Sequence, residues 1–145
     1  MTETLSVQTD PEGVGLAAPQ VGQDIGLFII KYSKRAKALA FINPIILEIE
    51  KDTPKKGGKK DKTSLEGCLS IDKIWSPVRR PGRIHLQYMD ETGVEKKEWF
   101  DGFKAIIIQH EIDHLHGILF TQRAVEQNKI LYKETDGELS PIQLI

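Results

Sequence analysis

Apolar and polar positions run in short blocks through the first hundred residues of this chain, and then the period lengthens. Ile25 to Lys31 is a short apolar stretch with the length of a buried strand, and Leu39 to Glu50 is a second, with Pro44 inside it marking an edge or a bend. From Arg83 to Asp90 the alternation is strict, with Ile84, Leu86 and Tyr88 set against Arg83, His85 and Gln87. Glu91-Thr92-Gly93 then turns the chain and Val94 to Phe100 returns antiparallel, which predicts a hairpin. Asp101 is a good N-cap for a helix over Gly102 to His116 that stops at Gly117. Phe103, Ile107, His110 and His114 form one stripe along it, and Ile106, Ile108, Ile112 and Leu115 widen the apolar surface. Such a helix is buried on most sides, with two histidines set into it.

The remaining segments are less regular. The first dozen residues are polar and read as loose, and the run Gly13-Val14-Gly15-Leu16-Ala17-Ala18-Pro19-Gln20 has the small residues that let backbone approach something closely. Residues 51–64 are rich in lysine, glycine and proline, and predict a solvated loop. No internal repeat or second boundary is visible, so residues 1–145 are expected to form a single domain. Its 20 basic and 21 acidic residues nearly cancel, so no global field points to DNA or to an anionic membrane. One cysteine allows no intramolecular disulfide, which agrees with a reducing compartment and leaves the thiol for metal or chemistry. The first ten residues lack the marks of a signal or transit peptide, and no run approaches membrane-spanning length, so the cytoplasm is the expected location.

Chemistry enters with His110-Glu111-Ile112-Asp113-His114, which places two imidazoles one turn apart with a carboxylate beside them to take a proton from water. The plainer reading is two core histidines. A third ligand decides the class. Gly117 fits the glycine that follows this motif in one group of metallopeptidases, but Phe120 stands where their third histidine would be, and phenylalanine cannot ligate. Glu134 falls where another group places a glutamate, although Tyr132, Lys133 and Thr135 around it read as an exposed helix end. Cys68, in Glu66-Gly67-Cys68-Leu69-Ser70, offers a soft thiolate; a lone cysteine is otherwise often a small buried hydrophobe.

Three separated segments, Gly13 to Gln20, Glu66 to Ser70 and Gln109 to His114, together resemble the peptide deformylase family in order and spacing. The resemblance implies an α+β fold in which mixed antiparallel strands pack around a central metal-binding helix. It implies removal of the formyl group from the N-terminal formyl-methionine of nascent peptides, with release of formate. Cys68, His110 and His114 would be the ligands of one divalent ion, ferrous iron in the cell with zinc, nickel or cobalt as substitutes. Glu111 would deprotonate a water and later protonate the leaving amine, and Gln20 with the Leu69 N–H would meet the oxyanion. Val14, Gly15 and Gly67 would pair with the backbone of the substrate, and Phe103 and Ile107 would line a pocket for its methionine. Glu66 would pair with Arg80 and brace the cysteine loop. Asp113 has no clear direction, while His85 reads as surface and His116 as turned away from the ligands.

Two features depart from the family. Members usually carry a longer leading segment, with a helix that packs on the sheet, whereas twelve residues precede Gly13 here; a missing helix would favour a homodimer or lower stability. The lysines between Lys51 and Lys62 suggest a salt-sensitive, transient contact with ribosomal RNA, set against the plainer reading of a soluble loop tip.

Overall fold

The computed structural model describes residues 1–9, 12–50 and 65–143, so the lysine-rich loop expected over 51–64 lies outside the described residues. In chain order the elements are α1 (Thr2–Ser6), β1 (Gly15–Ala17), a 3₁₀ turn (Ala18–Val21), β2 (Leu27–Ile30), β3 (Leu39–Glu50), β4 (Leu65–Cys68), β5 (Ile71–Pro77), β6 (Arg83–Met89), β7 (Glu95–Asp101), α2 (Gly102–Leu115), α3 (Phe120–Glu126), β8 (Tyr132–Thr135) and β9 (Glu138–Pro141). The chain divides into two compact units, a division that composition did not announce.

The first unit comprises residues 1–52 and 80–117. Its strands form an antiparallel sheet in the order β1-β2-β3-β6-β7. The alternation read in Arg83 to Asp90 is the reason: Ile84, Leu86 and Tyr88 are buried on one face of β6 while their neighbours look outward. Asp90 shapes the turn to β7, its Oδ1 accepting from the Thr92 N–H at 2.9 Å and the Val94 N–H at 3.1 Å. In β3 the bend expected at Pro44 appears as a register shift between Ile42 and Ile45, with Asn43 at φ 48°.

Helix α2 lies against the inner face of this sheet, where Ala105, Ile108 and Ile112 join Phe28, Phe41, Ile84 and Leu86 in one core. Phe28 and Phe41 stack at 4.8 Å and Phe41 meets Tyr88 at 4.5 Å. Asp101 does occupy the N-cap position, but it is extended and its side chain makes no capping bond. Gly102 turns the chain instead, at φ 59°. The first dozen residues are also more ordered than their polarity suggested: Thr2–Ser6 form a helical turn because Leu5 finds burial beneath Gly13.

The second unit comprises residues 53–79 and 118–145. Its described strands form the antiparallel order β4-β5-β8-β9. Cys68, Val78, Phe120 and Ala124 make its core, with Ile71, Ile74 and Leu131 at the margin. Ser76 donates to the Ile130 carbonyl at 2.8 Å, and Gln127 and Arg79 exchange bonds of 2.7 and 2.9 Å. No helix among the described residues is long and apolar enough to cross a membrane.

Candidate active site

In the first unit, α2 carries His110 and His114 one turn apart, with ring centroids 5.0 Å from each other at 72°. The rings are therefore presented edge to face. His114 is buried and His110 half-buried. Glu111, between them in sequence, is only 3% exposed. Its carboxylate rests against the backbone of Gly15 so closely that a Cβ built on Gly15 would come within 2.8 Å of its Cδ. This explains why glycine stands at that position in β1: any side chain would occupy the space of the carboxylate.

Among the described residues the strand that receives Glu111 is an edge of the sheet, since β1 pairs there with β2 alone. The Lys31 N–H donates to the Val14 carbonyl at 2.7 Å, so Val14 already spends that carbonyl on the sheet. By the alternation of an antiparallel ladder, Gly15, opposite Ile30, then turns its own N–H and C=O toward the outer edge. Of the two positions expected to pair with an extended peptide here, Gly15 has the right facing and the Val14 carbonyl does not. Gln20 follows in the 3₁₀ turn, its Oε1 accepting from the Ala17 N–H at 2.8 Å. That bond fixes the orientation of the carboxamide, with Oε1 as the backbone-facing end.

Phe103 and Ile107 share the histidine stripe but differ in burial. Ile107 is buried in the core and Phe103 is 55% exposed near the start of α2. Neither lines the cleft of about 630 Å³ that opens beside β7 among Tyr88, Glu98, Trp99 and Lys104. In that cleft the Tyr88 hydroxyl donates to Glu98 at 2.6 Å, and burial together with this carboxylate pushes the phenol well above its ordinary pKa.

In the second unit, Cys68 ends β4 and is buried beside Phe120 and Val78, where Phe120 fills core space as its chemistry requires. Leu69 and Ser70 form the two-residue turn between Cys68 and its partner Ile71, so the Leu69 N–H sits at the tip of a tight hairpin. Gly67 is needed because the Trp75 ring lies across it: a Cβ there would meet the ring at 2.7 Å. The indole Nε1 donates to Glu134 Oε2 at 2.7 Å. Glu134 therefore serves Trp75, and it stands on strand β8, not on the helix end expected from its neighbours. That removes the support for it as a third metal ligand.

Asp113 also acquires a direction. It meets Arg80 at 2.9 Å, with both side chains at least nine-tenths buried. The guanidinium expected to brace Glu66 thus has a partner on α2. His116 turns its ring back to α2, with Nδ1 2.9 Å from the Ile112 carbonyl. His85 stacks on Trp99 at 4.7 Å on the outer face of the sheet. The role of Trp75 behind Gly67, and the contact between Gly15 and Glu111, escaped the sequence; an isolated glycine inside a strand pattern was the available signal for both.

Comparison with known proteins bears on what these groups do. Residues 1–130 match the family model described as polypeptide deformylase. A peptide deformylase of Borreliella burgdorferi is 41% identical over 121 residues, covering 82% of this chain and 68% of that protein. Among solved structures, a peptide deformylase from Synechococcus elongatus in complex with actinonin is 40% identical with a TM-score of 0.66, covering 77% of this chain and 56% of that one. A peptide deformylase from Thermotoga maritima is 36% identical with a TM-score of 0.70, covering 84% of this chain and 77% of that one. The chain thus spans from 56% to 77% of the length of these relatives.

Proposed function

The chain belongs to the peptide deformylase family, and we propose that it hydrolyses the N-formyl group from the formyl-methionine of nascent polypeptides, releasing formate. One observation carries the reading beyond the family match: two imidazoles one helical turn apart, with a buried carboxylate beside them resting on the outward-facing residue of an edge strand. An extended peptide laid along that edge brings its first amide to the carboxylate.

Cys68, His110 and His114 are the proposed ligands of one divalent metal. A thiolate and two imidazoles suit a borderline or soft ion, and the placement of both rings on one buried helical face fits such a role. Ferrous iron is the proposed cellular ion, with zinc, nickel and cobalt as substitutes. When bound, the ion supplies a Lewis acid that polarises the formyl carbonyl and acidifies water. The rest is the work of the chain. Glu111 takes a proton from the attacking water and returns one to the leaving amine, and Gly15 holds the carboxylate in place for both transfers. With Oε1 of Gln20 committed to Ala17, its Nε2 is the end suited to donate to the oxyanion, together with the Leu69 N–H. Gly15 and Gly67 supply peptide-pairing backbone, and Phe103 and Ile107 bound the methionine side chain. The protein would act in the cytoplasm beside the ribosome, where such chains emerge.

Formate release from a formyl-methionyl tripeptide, measured with protein prepared without oxygen, tests the reading. Turnover that is lost with the metal and regained with it is expected. Fully loaded protein that releases no formate would overturn the assignment. Replacing Gln20 with Ala should lower kcat by about a hundredfold or more while metal content is retained.

A further inference from the structure

Helix α2 is tied at three points to the segment Arg80-Pro81-Gly82, which leads into β6. The Gly102 N–H donates to the Gly82 carbonyl at 3.0 Å, Gln109 Nε2 donates to the Pro81 carbonyl at 2.8 Å, and Arg80 Nη1 meets Asp113 Oδ2 at 2.9 Å. The order is antiparallel, so three successive residues strap the helix from its first turn nearly to its last. Gln109 gives its other amide hydrogen to the Ala105 carbonyl at 2.9 Å, which places both of its donors. The Arg80 and Asp113 side chains are 6% and 9% exposed. A buried charge-assisted bond of this kind tolerates little displacement, because its strength depends on a short distance and good alignment.

Each of the two side-chain ties immediately precedes a proposed ligand: Gln109 comes before His110 and Asp113 before His114. Neighbouring helix residues stand about 100° apart around the axis. The strap therefore grips the face next to the ligands, while Gly15 stops Glu111 on the other flank. Turning α2 by about 10° would carry a side chain about 6 Å from the axis through roughly 1 Å. A working site tolerates about half of that. The core contacts of Ala105, Ile108 and Ile112 are apolar and carry no directional preference of their own.

We propose that Arg80, Gln109 and Asp113 are positioning residues, which set the rotation of α2 and thereby aim His110 and His114 at the metal. This rests on the metal-centre reading above. The test is titration of metal-free protein with Co²⁺, followed by its visible absorption, alongside thermal unfolding of the same apoproteins. Asp113→Asn and Gln109→Met should weaken Co²⁺ binding about 10- to 100-fold and alter the visible bands. Arg80→Lys, which keeps the charge, should bind more tightly than Arg80→Gln. Ile108→Val trims the core side of the same helix and should lower the melting temperature with Co²⁺ affinity unchanged. Wild-type affinity and spectrum in both Asp113→Asn and Gln109→Met would overturn the strap, as would an equal loss of affinity in Ile108→Val. Should Asp113→Asn fail to fold, Gln109→Met, which gives up only neutral hydrogen bonds, decides alone. Wild-type protein that takes no Co²⁺ would instead sink the metal-centre reading, so the two failures are distinct.

Discussion

A methyl group at position 15 has nowhere to go. Gly15→Ala would drive the Glu111 carboxylate from its place, because the new Cβ falls on the carboxylate itself. Moving a catalytic group by about an ångström costs on the order of a hundredfold in rate. The expected result is therefore a kcat lowered about a hundredfold with metal content unchanged, read by formate release and elemental analysis; near-normal turnover would show that the carboxylate works from elsewhere. Asp90, remote from the site, offers a test of a different kind. The Thr92 hydroxyl first, then the backbone N–H groups of Val94 and Thr92 and the Lys96 ammonium, hold its carboxyl well below the ordinary carboxylate range. A carboxylate depressed in the folded state stabilises the protein fully above its unfolded pKa of about 4, and that stabilisation is lost as pH falls toward the folded value. Denaturant midpoints of the wild-type and Asp90→Asn apoproteins should differ most near neutrality and converge only below about pH 4. A gap that stays constant through that range would deny the ionic contribution.

At the level of elements, legibility followed period and length. The hairpin of β6 and β7 and the helix α2 were readable because Ile84, Leu86 and Tyr88 keep a strict period of two, and because the stripe from Phe103 to His114 keeps the helical one. β4 and β5 were not readable, since Cys68 and Ile71 flank a turn of Leu69 and Ser70, which lacks the usual turn chemistry. The hairpin of β8 and β9 did carry its signal: Asp136 and Gly137 both have positive φ, as a type I′ turn requires, and Asp-Gly is a strong mark of it. What Glu134 does is bind the Trp75 indole, which in turn lies across Gly67. Trp75→Phe removes the donor and the part of the indole that lies over Gly67, so it should cost about 1.5 kcal/mol, the low end for a bond to a charged group because the pair is only partly buried. Gly67→Ala forces the ring itself aside and should cost more. Urea unfolding of both variants orders them; a Gly67→Ala protein as stable as wild type would show that the ring yields freely.

For the molecule as a whole, the family was legible from three short motifs, while the division of the chain into two compact units was not, because burial depends on partners that lie far apart in sequence. The proposed metal ties site chemistry to the stability of the chain. An ion that binds the folded state and not the unfolded one stabilises it by about 2.7 kcal/mol when present at about a hundred times its dissociation constant. Stripping the metal with a chelator should therefore lower the melting temperature by several degrees, and readdition of Co²⁺ or Ni²⁺ should restore it. Cys68→Ala should unfold at the temperature of the stripped protein whether or not metal is added, since a proposed ligand is gone. Glu111→Gln keeps all three proposed ligands and should retain the full metal-dependent shift while losing turnover. Melting curves of the three proteins, each with and without metal, separate holding the ion from using it. If Cys68→Ala kept the shift, the thiolate would not be a ligand, and the metal centre proposed from α2 would need another third donor.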